Sequence, residues 1–149
     1  MNTPRFSEIE LGLELPPVVQ TYTQRAIDDY ALATLDMNPV HVNIAWCERT
    51  LVFGTPKTVG HGMLMMSNMA SAVVRHWGAV TAAGAISVRY VDAKFVKAIQ
   101  VGDRVTATAT VRAKHFHGEG KCWVDLAVKG VDSAGEVVCL GEVGINVLD

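Results

Sequence analysis

Met63-Leu-Met-Met-Ser-Asn-Met-Ala-Ser-Ala-Val-Val-Arg-His-Trp77 decides the fold. Met63, Leu64, Met65, Met66, Met69, Ala70, Val73 and Val74 leave almost no polar face on a helix over these residues, and such a helix is ordinarily buried. Gly78 follows as its expected stop. Upstream, Gly54, Pro56, Gly60 and Gly62 break the chain into a loop over Thr55–Gly62. Downstream the texture changes from Ala85 onward. Val88, Tyr90, Phe95 and Val96 suggest one strand. From Val105 to Phe116, Thr106, Thr108 and Thr110 alternate with Val105, Ala107, Ala109 and Val111, a period of two. Gly118-Glu119-Gly120 and Asp132-Ser133-Ala134-Gly135 read as turns that separate strands over Cys122–Val131 and Val137–Leu148. One buried helix and a meander of long strands predict an α+β fold, with an antiparallel sheet wrapped around the helix.

The N-terminal third is helical after an extended entry. Leu11–Tyr22 is interrupted by Pro16-Pro17. Thr23 is a suitable N-cap, and Ala26, Ile27, Tyr30, Ala31 and Leu35 fall at helical spacing, so Gln24–Leu35 is read as a helix. It must end by Asn38, because Pro39 biases its predecessor away from helical angles. Asn43 can cap a second short helix over Ile44–Leu51.

The chain has 149 residues, half of them apolar and 19% charged, with a net charge of −2. That length corresponds to a single domain, residues 1–149, and the composition excludes disorder. The basic residues are scattered singly, so no nucleic-acid footprint is expected. Cys47, Cys122 and Cys139 are widely spaced with no C-x-x-C pair, which indicates neither a disulfide framework nor a structural zinc site. The first ten residues hold Arg5, Glu8 and Glu10 and no apolar run of the signal-peptide kind. The longest stretch free of Asp, Glu, Lys and Arg, Thr58–Val74, is 17 residues and contains His61, Ser67 and Asn68. It falls short of the roughly 20 apolar residues of a spanning helix. A reduced, cytoplasmic protein without membrane contact is the expectation.

Two segments can carry chemistry. In Asp36-Met37-Asn38-Pro39-Val40-His41, an Asp and a His lie on either side of an Asn-Pro turn. A turn can bring both side chains to one water and let them move its protons. Alternatively, Asn38-Pro39 is a helix cap and His41 packs between helices. In Val59-Gly60-His61-Gly62-Met63, Gly62 lets a ligand carbonyl approach its backbone N–H at the positive end of the buried helix. An oxyanion would be stabilised there. Alternatively, both glycines only shape the loop. His61 itself is read as a satisfied surface or interface histidine. His115 and His117 share one strand face, with Cys122 expected across the hairpin. Solvated histidines are the reading preferred there over a metal site. The methionine cluster reads first as core filler, although flexible methionines can also line an acyl pocket.

With these residues in place, the chain resembles the MaoC-like dehydratases, the R-specific enoyl-CoA hydratases (hydratase 2). Tyr30–His41, ending in Asp36-x-Asn38-Pro39-Val40-His41, is similar to their signature. His61-Gly62-Met63-Leu64 matches about twenty residues later, and Phe95–Asp103 resembles a later strand and turn. The likeness runs from about Phe6 to Val147. It implies a hotdog fold, dimeric or built from paired hotdogs. It also implies reversible syn addition of water to a trans-2-enoyl thioester, on CoA or an acyl carrier, to give the R-3-hydroxyacyl product. Asp36 and His41 would be the catalytic pair and the Gly62 N–H would bind the thioester oxygen, with Asn38 and Met63 as further substrate contacts. No metal or redox cofactor is needed. Alternatives are a hotdog thioesterase and a non-catalytic thioester-binding subunit; the Asp-x-Asn-Pro-x-His segment argues against the first and retention of Asp36 and His41 against the second. Three positions depart from the family pattern. Leu35 replaces a common Gly, which is expected to narrow the pocket. Ala98 replaces a common Pro. Ser67 and Ser71 flank the place where some members carry a serine. Lys57, Arg75, Arg89, Lys94 and Lys97 are the basic residues that could meet CoA phosphates.

Overall fold

Alternation in the long C-terminal segments resolves into a sheet whose inner face is small and apolar. The computed structural model describes residues 4–77, 86–118 and 120–147. In chain order it contains strand β1 (Glu14–Thr21), helices α1 (Gln24–Thr34), α2 (Pro39–Val42), α3 (Ile44–Thr50) and α4 (Gly62–Trp77), and strands β2 (Ile86–Phe95), β3 (Arg104–Phe116), β4 (Cys122–Asp132) and β5 (Val137–Val147). The five strands form one antiparallel sheet in the order β1-β3-β4-β5-β2. The meander β3-β4-β5 is as the period-two pattern predicts. On β3, Val105, Ala107, Ala109 and Val111 point inward and are buried, while the threonines between them face outward.

α4 packs on this inner face and touches all five strands. Met65, Met69, Ala72, Val73 and Trp77 form its buried side. Gly130 makes close contact possible: a Cβ there would stand 2.8 Å from Met69 Cε. Met63 and Ser67 are exposed on the opposite side, so in a single chain α4 is not buried all round. One sheet covers only one face of a helix, whatever the hydrophobicity of the other.

Two further expectations are corrected. Glu14–Thr21 is not a broken entry segment but a strand paired with β3. Pro16-Pro17 sits in a bulge between Leu15 and Val18, on the sheet edge, where their missing N–H groups cost no ladder bond. The first helix stops at Thr34, with Leu35 as its left-handed C-cap. The expected helix stop at Gly78 lies outside the described residues, as do Ala85, Glu119 of the first turn and Leu148 of the last strand.

Candidate active site

The pair Asp36 and His41 is set by two consecutive caps. Leu35 adopts φ 59°, which turns the chain out of α1. Asn38 then caps α2, its Oδ1 accepting from the Val40 N–H at 3.2 Å, with Pro39 in the first helical position. The one-turn helix that follows presents His41. Its main-chain oxygen accepts from Gln24 Nε2 at 2.9 Å, which ties α2 to α1. His41 Nδ1 lies 2.7 Å from the Val59 carbonyl oxygen. A carbonyl only accepts, so Nδ1 carries the proton, and in the neutral ring Nε2 holds the lone pair. Burial pushes the His41 pKa below its ordinary value of 6.5, partly countered by the Val59 bond; nearby His61 lowers it further and Asp36 raises it.

His61 joins this pair. It is 2% exposed and sits just before α4. Its ring stacks on His41 with centroids 3.7 Å apart, and Tyr30 of α1 packs against it at 5.0 Å. His61 Nε2 donates to the main-chain oxygen of Asp36 at 3.1 Å, and Asp36 Oδ2 lies 3.9 Å from the same nitrogen. The reading of His61 as a satisfied surface or interface histidine is therefore corrected: it is buried, and its Nδ1 has no hydrogen-bond partner among the described residues. One atom each of Asp36, His41 and His61 fall within 4.8 Å of one another. The Asp36 side chain is 55% exposed and so reaches solvent.

An apolar cleft of about 490 Å³ opens beside His41. Asn38, His41 and Gly62 border it, together with Phe53, Met65 and Phe95. Gly62 opens α4, where the first N–H groups of a helix have no intrahelical partner. The Phe95 ring lies against Gly62, and a Cβ there would be 2.9 Å from Phe95 Cε2. The structure thus brings Asn38, His41 and Gly62 to one cleft, with Asp36 close to His41. Met63 does not join them: its side chain is 52% exposed and does not border the cleft, whereas Met65, two residues on, does. A helix turns about 100° per residue, so positions 63 and 65 face apart.

The sequence matches the description "MaoC like domain" over residues 11–128. The chain belongs to the MaoC-like domain family. It is 35% identical over 106 residues to the (R)-specific enoyl-CoA hydratase of Rhodospirillum rubrum, covering 71% of this chain and 68% of that protein. Its fold is similar to an R-hydratase of Pseudomonas aeruginosa in the unliganded form, with TM-score 0.83 and 22% identity, covering 99% of this chain and 87% of that one. It is also similar to an (R)-hydratase from A. caviae, with TM-score 0.79 and 20% identity, covering 93% of this chain and 97% of that one. The sheet and central helix are the hotdog architecture of these MaoC-like proteins.

The departures from the MaoC-like pattern now have physical readings. Leu35 does not narrow the cleft, since its side chain is 83% exposed. Glycine suits that position because the backbone is left-handed there. Ala98 borders the cleft. Neither Ser67 nor Ser71 does; both hydroxyls donate back to carbonyls one turn earlier in α4.

Asp36, His41 and His61 have the proximity of a metal site, yet the rings fit one poorly. The His61 nitrogen nearest the Asp36 carboxylate, Nε2, donates its proton to the Asp36 main-chain oxygen and so offers no lone pair there, and His41 Nδ1 is likewise protonated against Val59. At the other end of the sheet, Cys122 does not join His115 and His117. It is buried opposite Phe116, while His115 pairs with Trp123 and lies 2.6 Å from Asp125 Oδ2. Of the basic residues, Lys97 is held by Asp132 and Glu136 and Arg89 lies over the Trp123 ring, so both already have partners. No helix among the described residues is long and apolar enough to cross a membrane.

Proposed function

We propose that this MaoC-like chain adds water reversibly to a trans-2-enoyl thioester, on CoA or an acyl carrier, to give the R-3-hydroxyacyl thioester. The observation that supports this reading best is the proximity of Asp36 to His41, which borders an apolar cleft that also carries the Gly62 end of α4. One ring nitrogen of His41 and one carboxylate oxygen of Asp36 lie within 4.8 Å of each other, a gap that two hydrogen bonds of about 2.8 Å to one water span.

The roles follow from hydrogen bonding. With Nδ1–H committed to Val59, His41 meets the water with the Nε2 lone pair and acts as base. Asp36 accepts the water's other O–H and orients it. The Gly62 N–H polarises the thioester carbonyl, which makes the β-carbon electrophilic and stabilises the enolate oxygen. As the water oxygen bonds to the β-carbon, its proton passes to His41 Nε2. The imidazolium, beside the Asp36 carboxylate, then delivers that proton to the α-carbon on the same face. The second water hydrogen stays on the new hydroxyl, so addition is syn and no further reactant is consumed.

The test is incubation with crotonyl-CoA and longer enoyl-CoAs, following enoyl absorbance and free thiol separately. Enoyl loss without thiol supports hydration. Thiol release means a thioesterase, and neither signal across the series points to a non-catalytic thioester-binding subunit.

The working assembly is a homodimer or a higher hotdog oligomer. Of the two sheet edges, β1 is blunted by Pro16-Pro17, while β2 is open and carries exposed Val88 and Phe95. Light scattering is expected to give at least twice the chain mass; a stable, active monomer at low concentration would contradict this.

A further inference from the structure

We infer that His61 is a positioning residue of the hydration site, which holds the Asp36 main chain through its Nε2–H and supports the His41 ring on its face; this rests on the reading of Asp36 and His41 as the catalytic pair. The residue stands where α1, α2 and α4 converge. From the α1 side it binds the Asp36 carbonyl at 3.1 Å. From α2 it meets His41 in a stack 3.7 Å between centroids and 24° between planes. Its own backbone leads into Gly62 and α4, and its carbonyl accepts the Met65 N–H at 3.2 Å. One side chain thus links the three elements that supply the base, the water-orienting carboxylate and the oxyanion donor.

A histidine at this place has a cost that a purely structural residue would avoid. It is 2% exposed, and its Nδ1 is unpartnered among the described residues. A buried polar atom without a partner destabilises the fold, and an apolar ring of the same size would fill the space without that penalty. What an apolar ring cannot do is donate to Asp36. That donation matters because Asp36 follows Leu35, a residue in the left-handed region, and its side chain is largely exposed. Nothing else among the described residues binds the Asp36 main-chain oxygen through a side chain. His41 is fixed at Nδ1 by Val59, but one hydrogen bond leaves its ring free to rock, and the His61 face removes that freedom. Misplacement of a reacting group by about 1 Å can cost about 10²-fold in rate.

Two variants separate the functions. His61→Phe keeps the face and loses the donor; His61→Gln keeps a donor and loses the face. Each is expected to lower kcat by at least about tenfold with KM within about threefold of wild type, because positioning acts on the chemical step. Melting temperature and circular dichroism are measured on the same samples. Full kcat in either folded variant overturns the proposal, and so does a loss that disappears when the assay is run well below the variant's melting temperature. A readout independent of turnover is the His41 ring titration by NMR. The titratable groups facing His41 are His61 and Asp36; Tyr30 packs on His61, and Lys97 on the cleft wall is held by Asp132 and Glu136. In His61→Gln the His41 titration is expected to move upward, since His61 lowers it in the wild type. If wild type leaves every enoyl-CoA intact, the hydration reading fails and the positioning role falls with it; if wild type hydrates and a folded variant keeps full kcat, only the positioning role fails.

Discussion

The rings of His41 and His61 stack with their centroids 3.7 Å apart, although twenty residues separate them in the chain. One faces the cleft with a free nitrogen; the other is closed off and bonded to the main chain of Asp36. This places the proposed base, its support and the carboxylate in one hydrogen-bonded and stacked unit.

Asp36→Asn and His41→Gln are each expected to lower hydration by about 10²–10⁴, the usual contribution of a positioned acid–base group. Because both act on one water, the double variant is expected to be little worse than the worse single. Steady-state rates with crotonyl-CoA, and melting curves for the same proteins, check this. Active single variants with much lower melting temperatures would show that the pair is a structural cap and packing contact.

The pH dependence follows from His41. The base must be neutral, and its pKa lies below 6.5 because of burial. The acid limb of kcat/KM is therefore expected below 6.5. Stability has the same sign. The unfolded histidine takes up its proton first, so stability falls as pH drops from the unfolded pKa through the folded one, and His41 contributes nothing to the slope above that window. An acid limb above 6.5 in the wild type would contradict the assignment of His41 as the base.

Gly62→Ala is expected to fold. The atom its Cβ would meet belongs to the rim of the half-exposed Phe95 ring, which can swing aside. The displaced ring and the added methyl push the thioester oxygen from the N–H, and loss of one such donor costs about 10²–10³ in rate. Wild-type turnover in a folded Gly62→Val protein would remove Gly62 from the site.

Leu35→Gly is expected to raise stability by up to about 1 kcal/mol, as the left-handed conformation costs a side-chain-bearing residue about 1–2 kcal/mol and glycine's extra unfolded entropy returns part of that gain. The exposed leucine side chain has little packing to lose. Hydration is expected to be unchanged. Urea unfolding checks the first point, and a clear fall in midpoint would show that the Leu35 side chain, not its backbone, stabilises the turn.

Much of the fold is legible in the sequence because it is local. Threonines alternating with valine and alanine over 105–111 mark the two faces of a strand whatever it packs on, and Asn38 before Pro39 caps the turn that bears His41 through atoms two residues apart. Asp36, Asn38, His41 and Gly62 could be proposed for the same reason: each lies in a short motif whose chemistry needs only its neighbours. Tertiary structure decided the rest. Pro16-Pro17 reads as a break until the neighbouring β3 shows it to be a bulge at a sheet edge. Met63 and Met65 are indistinguishable in a run of methionines, and only the direction of the cleft separates them. A signal at Leu35 was present in the common glycine of the family, but its meaning, a positive φ, is a backbone property that side-chain identity does not display. His61 is the clearest case. Nothing in Gly60-His61-Gly62 distinguishes an exposed loop histidine from a buried one, because burial is imposed by Tyr30 from α1 and His41 from α2. Those contacts exist only once the segment leading into α4 has packed against α1 and α2, which lie some twenty residues or more upstream.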